Sequence, residues 1–141
     1  MTSWWRFPPE TNEVQSLQKQ RWAFVGKKEK HCNDNDPADS QQGDNWDHLA
    51  YDPEHRLVVS VVPGKRTAEK VQKLVRDFKR RTGGRIMNLI TSDEYRPYKR
   101  AILKAYGQKV TPPRTGKPGR PKGSRRIVPP QLKYATVHKT R

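Results

Sequence analysis

The chain has 141 residues, 31% of them hydrophobic, and a formal net charge of +16, which allows one small domain and leaves part of the chain outside any core. No apolar run reaches membrane-spanning length, and the N-terminal Trp4-Trp5-Arg6-Phe7 breaks at once into Pro8-Pro9, so neither an export leader nor a membrane anchor is expected. Cys32 is the only cysteine, which excludes an internal disulfide and a multi-cysteine zinc site and fits a reducing, cytoplasmic setting.

Residues 1–18 show no clear period and are expected to be poorly ordered. Trp22-Ala23-Phe24-Val25, stopped by Gly26, is a candidate strand, and the polar residues 27–45 read as a long surface loop. A second strand follows over 46–51, then a turn at Asp52-Pro53-Glu54-His55. The β-branched run Leu57-Val58-Val59-Ser60-Val61-Val62 is the mark of a third strand, joined to the second as a hairpin. The period then changes. Ala68, Val71, Leu74, Val75 and Phe78 recur at helical spacing, Thr67 sits where an N-cap belongs, and Gly83-Gly84 stop the helix. A strand is expected over 86–91, closed by Ser92-Asp93-Glu94, and a second helix over 97–106, stopped by Gly107. Residues 108–110 form a short strand, 111–130 are too rich in Pro, Gly, Lys and Arg for regular structure, and 132–137 alternate loosely as a last edge strand.

The charge is concentrated at the end of the chain. Residues 1–94 hold 16 Lys/Arg against 14 Asp/Glu, whereas residues 95–141 hold 14 Lys/Arg and no acid. A polycation of that length binds polyanions by releasing their counterions. The expected partner is double-stranded DNA, with no role for a membrane because no amphipathic basic helix is evident. The candidate DNA contacts are Arg114, Lys117, Arg120, Lys122, Arg125 and Arg126. Within them, Lys117-Pro118-Gly119-Arg120-Pro121-Lys122-Gly123-Ser124 resembles the AT-hook, a minor-groove peptide built around Arg-Gly-Arg-Pro. Pro118 stands where the first core arginine belongs. A flexible basic loop that binds phosphate without sequence preference is the alternative reading of the same residues.

The element order is β-β-β-α-β-α with a further strand, which predicts an α/β fold with a mixed sheet and helices packed on it. That order suits a ribonuclease-H-like core over residues 19–110, followed by a basic DNA-binding segment over 111–141, and it suits several other small α/β folds as well.

Five short stretches carry a more specific likeness: Arg21-Trp22-Ala23-Phe24-Val25-Gly26-Lys27-Lys28, Trp46-Asp47-His48-Leu49-Ala50-Tyr51-Asp52, Val62-Pro63-Gly64-Lys65-Arg66-Thr67, Ser92-Asp93-Glu94-Tyr95, and the run from Tyr106-Gly107 through Val110-Thr111-Pro112-Pro113-Arg114 with Leu132 to Arg141. In that order they resemble transposases of the insertion-sequence-one family. The resemblance implies a ribonuclease-H-like catalytic domain that cuts and rejoins DNA with Mg²⁺ held by carboxylates. It matches Asp93 to the second carboxylate of such a site, as catalytic residue and metal ligand. The position of the first carboxylate, three residues before Trp22, is Lys19, and its neighbour is Gln20. The third falls past Arg141, and the zinc-binding and helix-turn-helix segments of the family have no counterpart ahead of residue 1. The resemblance therefore implies a truncated, catalytically inactive copy, incomplete at its C-terminus. Such a copy still binds DNA, associates with the nucleoid, holds no metal productively, and has an intact transposase copy as a possible partner.

Asp93 also reads as an N-cap for the following helix. Asp44, Asp47 and Glu94 are weaker candidates for replacement carboxylates, and His31 beside Cys32 is a weak metal pair. A stand-alone basic DNA-binding or architectural protein is the alternative function, and a small metal nuclease with rearranged carboxylates is a third.

Overall fold

Three consecutive features set the path of the chain between residues 52 and 84. The Asp52 carboxylate accepts the backbone N–H of Glu54 at 3.0 Å and of His55 at 3.3 Å, and lies 2.7 Å from His55 Nδ1, so the turn is locked from inside. The valine-rich strand then runs out at Gly64 and a helix begins at Ala68, where Thr67 accepts the Lys70 N–H. At the other end of that helix Thr82 returns its hydroxyl to Phe78 O at 2.9 Å, and Gly83 takes a positive φ of 68°. Every one of these signals is visible in the sequence.

The computed structural model describes residues 14–138 and Thr140, with side chains from Trp22 onward. In chain order the elements are β1 (Val14–Val25), β2 (Gly43–Asp52), β3 (Leu57–Gly64), α1 (Ala68–Arg81), β4 (Leu89–Asp93), α2 (Pro97–Tyr106), β5 (Gln108–Val110), β6 (Arg125–Ile127) and β7 (Lys133–Val137). Two single 3-10 turns, Glu29–His31 and Pro37–Asp39, lie between β1 and β2. The main sheet has the order β3-β2-β1-β4-β7, and β5 pairs with β6 in a separate two-stranded ribbon. β1 is antiparallel to β2, and β2 to β3, whereas β4 runs parallel to both β1 and β7. The fold is mixed α/β, as expected.

Both helices cover one face of the sheet. Val71, Leu74, Val75 and Phe78 of α1 and Tyr98, Ala101, Ile102 and Tyr106 of α2 share a single buried cluster with Ala50, Val59, Val62, Ile90 and Leu132. Burying each larger side chain contributes about 1.5–3 kcal/mol. Period-two alternation puts the register partners Leu49 and Val61 on the other face. There Val58, Val61 and Val137 stand about half exposed, at 54%, 50% and 50%.

Four sequence expectations are corrected. β1 starts at Val14, so residues 14–18 belong to a strand, not to a poorly ordered tail; residues 1–13, with Trp4 and Trp5, lie outside the described residues. The strand is central and hydrogen-bonds to β2 on one side and β4 on the other, and this ladder overrides a polar sequence that shows no period. Residues 125–127 form β6 in spite of the composition around them, because pairing with β5 supplies hydrogen bonds that local propensity does not. β4 begins at Leu89, three residues later than expected, leaving Ile86 exposed ahead of it.

The second strand starts at Gly43, three residues before the expected 46, so residues 43–45 of the expected loop belong to β2, and the rest of that loop is more ordered than its composition implies. Glu29 and Asp44 exchange backbone-to-carboxylate hydrogen bonds at 2.8 and 3.2 Å, and Lys27 pairs with the buried Asp39 at 2.8 Å. The Lys27 ammonium, with the Asn33 N–H, holds the Asp39 carboxyl below the usual carboxylate range. Gly43 closes the loop with φ at 109°, and a Cβ there would meet Glu29 Oε2 at 1.9 Å.

Candidate nucleic-acid interface

The tip of β4 carries the one carboxylate matched to a metal role. Asp93 ends the strand, half-buried, and its carboxylate accepts the Tyr95 N–H at 3.3 Å. It is not the N-cap of α2: that position belongs to Arg96, and the helix starts one residue later at Pro97. The Asp93 side chain instead bends the connection between strand and helix. Next to it, Glu94 engages the His138 ring, which β7 brings to the same end of the sheet. The Ser92 hydroxyl meets Tyr134 Oη at 2.5 Å and so ties β7 to β4. Burial pushes the Tyr98 phenol well above its ordinary range, with the Asp93 charge adding to the shift. Arg66, Asp93, Glu94, Tyr95, Arg96 and Pro97 line an open cleft of about 500 Å³.

Magnesium, which the sequence resemblance implies, asks for several anionic or neutral oxygens converging on one point. The donors at this tip are Asp93 and Glu94, set between the cations Arg66 and Arg96. In the register of β1 with β4, Leu17 is the partner of Ser92, so the next positions along β1 are Gln18 and Lys19. Asp44 is spent on the loop with Glu29, and among the described residues no three His, Cys, Asp or Glu side chains gather as a metal would require. The Cys32 thiol donates to Lys28 O at 3.6 Å, and burial, with Asp39 and Glu29 nearby, pushes its pKa up, away from the thiolate a metal binds. This donor set does not fit a two-ion centre.

The basic residues lie elsewhere, on a lobe built by the chain after α2. β5 leaves the end of that helix, residues 111–124 form an irregular excursion, and β6 returns antiparallel to β5. Arg114, Lys117, Arg120 and Lys122 are all exposed along the excursion, and Arg125 and Arg126 are exposed on β6. The ribbon register brings Lys109 opposite Arg126 and Val110 opposite Arg125. The Arg126 guanidinium also donates to the Lys104 carbonyl, which docks the ribbon on the last turn of α2. Lys109 and the exposed Lys104 therefore join the basic surface, and Lys99 and Arg100 are exposed on the same helix. The acid-free composition of residues 95–141 is the sequence signal that contains them, but only the ribbon and the helix contact give them a shared location. Gly116 and Gly119 both take positive φ, at 68° and 139°, in the stretch that resembles an AT-hook. Among the described residues no helix is long and apolar enough to cross a membrane.

Compared with protein-family models, characterised proteins and solved structures, the chain matches none.

Proposed function

We propose that this chain is a duplex-DNA-binding protein on a ribonuclease-H-like sheet of the insertion-sequence-one transposase type, and that it does not itself cut DNA. The observation that carries the reading is the acid-free segment 95–141, whose cations stand exposed on α2, the ribbon and the excursion between β5 and β6. Phosphate neutralisation by such a surface is sequence-independent and strongly salt-dependent. Two further points support the sheet assignment. The order β3-β2-β1-β4-β7, with an antiparallel meander followed by strands parallel to β1, suits a ribonuclease-H-like core. Asp93 also falls at the C-terminal end of the strand beside β1, the place the resemblance expects for a carboxylate. Loss of cleavage follows from the donor set: two adjacent carboxylates among arginines, with Lys19 in the position of the first carboxylate.

The test is a titration of labelled duplex against the full chain at several salt concentrations, with a plasmid-nicking assay in Mg²⁺ beside it. The reading expects affinity falling by about 10³-fold or more between ~50 and ~200 mM salt, as for proteins that neutralise six or more phosphates, and plasmid left intact. Duplex affinity insensitive to salt removes the binding claim. Nicking that Asp93→Ala abolishes removes the claim of lost chemistry.

The AT-hook-like loop favours a second reading, a stand-alone architectural protein. Arg120 is exposed between Gly119 and Pro121, as a side chain entering a narrow A·T minor groove must be. Tighter binding to A·T-rich than to G·C-rich duplex supports that reading, and equal affinities leave the loop as a plain phosphate binder.

A further inference from the structure

A second surface, carried by different elements, pairs cations with aromatic rings. Trp22 and Phe24 of β1 are 45% and 47% exposed, with ring centroids 6.1 Å apart and planes tilted by 52°. The Lys28 ammonium lies 6.0 Å from the Trp22 ring centre. Across the sheet, Trp22 is the register partner of Trp46, and Trp46 of Gly64, the last residue of β3. Two residues on, the Arg66 guanidinium sits 4.1 Å from the Tyr95 ring centre and 5.9 Å from that of Trp46. The Tyr95 hydroxyl donates to Arg66 O at 3.1 Å, which fixes this pair, and the pair forms one wall of the cleft at the β4 tip. Phe24 and Trp22 thus lie beside Trp46 in the strand register, and Arg66 bridges Trp46 to Tyr95, with Lys28 at the Trp22 end.

Two large aromatics half exposed on neighbouring strand positions are unusual for a chain this short of apolar residues, since such rings contribute most when buried. Neither ring belongs to the buried core that α1 and α2 form on the sheet. Half-exposed rings such as Trp22 and Phe24, with lysine and arginine nearby, match the two parts of an unpaired nucleotide, a π-face that stacks and a phosphate that needs a cation. A base inside a duplex already stacks on its neighbours and offers no free face.

We propose that this aromatic surface is a stacking platform for single-stranded DNA. The Lys28 and Arg66 cations set beside the rings favour an anionic occupant over a basic protein surface, and every base has a face, so binding is tolerant of sequence. The platform is separate from the duplex-binding ribbon, and either surface can fail without the other.

The experiment is a fluorescence-anisotropy titration of the full chain with three labelled probes: an oligo-dT strand of about 15 nucleotides, an abasic strand of the same length, and a blunt hairpin duplex. Loss of one stacked base corresponds to about 1–3 kcal/mol, or about 5–150-fold in affinity. Trp22→Ala is expected to weaken the dT strand by about tenfold and the duplex by less than about twofold. Trp22→Phe restores most of the loss, and Lys28→Gln weakens the dT strand by about threefold, within the range for a cation at a stacking site. Abasic and dT strands bound equally well by the native chain overturn the proposal, as does Trp22→Ala weakening strand and duplex alike or neither. Trp22-dependent binding to acidic lipid vesicles, with none to the strand, overturns it and assigns the rings to a membrane surface. Loss of duplex affinity on altering the ribbon, with strand affinity intact, supports a separate platform, whereas equal loss of both overturns it.

Discussion

The sheet with α1 and the lobe after α2 handle charge in opposite ways. In the first, acids and bases meet: Lys27 with Asp39, Lys65 with Glu29, Arg80 and Arg81 with Asp77. In the second there is no acid at all, and Arg126 reaches only a backbone carbonyl on α2. The first region spends its charges on holding its own loops and helix. The second leaves them facing outward, where they repel one another and are relieved only by an external polyanion. Folding and the proposed DNA binding are therefore largely separable, because, apart from Arg126, the cations offered to DNA are not the charges that hold the loops and α1 in place.

That separation can be broken or sharpened by four changes. The largest effect is expected from Phe78→Ala, which empties a fully buried ring position in the core between α1 and the sheet; a loss of about 3–5 kcal/mol in urea unfolding is expected. Salt-dependent DNA binding surviving in the unfolded variant would show that the lobe needs no body to present its charges. Next is the combined change Lys122→Ala, Arg125→Ala and Arg126→Ala. Each lost phosphate contact lowers the slope of log affinity against log salt by about 0.9, so a drop of about 2–3 is expected, with unfolding free energy shifted by less than about 0.5 kcal/mol per site. A large fall in stability would mean that the ribbon is a structural element after all.

Asp77 gives the third test. Its burial raises the pKa, but hydrogen bonds from Ser60 at 2.5 Å, Arg80 at 2.5 Å and Arg81 at 2.8 Å outweigh this and hold the carboxyl at about 2, against an ordinary 3.8. A folded value below the unfolded one means the stabilisation is fully present above about pH 4 and is lost as pH falls through about 2. Since both arginines are largely exposed, solvent screening reduces the contribution to about 1–2 kcal/mol. Asp77→Asn should lower stability by that amount at neutral pH, and the gap to the native chain should close across that acid window. A gap independent of pH would assign the loss to packing. The smallest effect, about 1 kcal/mol or slightly more, is expected of Gly43→Ala, where positive φ and the Glu29 carboxylate both oppose a side chain. Its readout is the unfolding midpoint, with duplex affinity unchanged.

The parts of the fold that were legible in the sequence are those where local chemistry and tertiary packing agree. The α1 stripe with its Thr67 cap and glycine stop, the valine run of β3 and the Asp52 turn are of this kind. The first half of β1 was not, because Gln15-Ser16-Leu17-Gln18-Lys19-Gln20 shows no period and its strand form comes from two neighbouring ladders. The β6 strand was hidden by the prolines and glycines around it, and Lys109 could join the basic surface only once the ribbon register was known. The resemblance singled out Asp93 but not its surroundings: Glu94 with His138, and Arg66 in the cleft, are brought to the β4 tip from distant parts of the chain. Trp22 to Val25 was legible as a strand, but nothing in the sequence signals that its rings stand about half exposed.

The chain does not end in its basic excursion; after residues 111–124 it returns through β6 and inserts β7 beside β4 at the edge of the main sheet. A tryptic cut at Arg114 or Lys122 would therefore produce two fragments that stay together through the β4–β7 ladder, the Ser92–Tyr134 contact and the buried Leu132. The nicked species should elute as one particle from a sizing column and come apart only in denaturant, while bound duplex should slow the first cut.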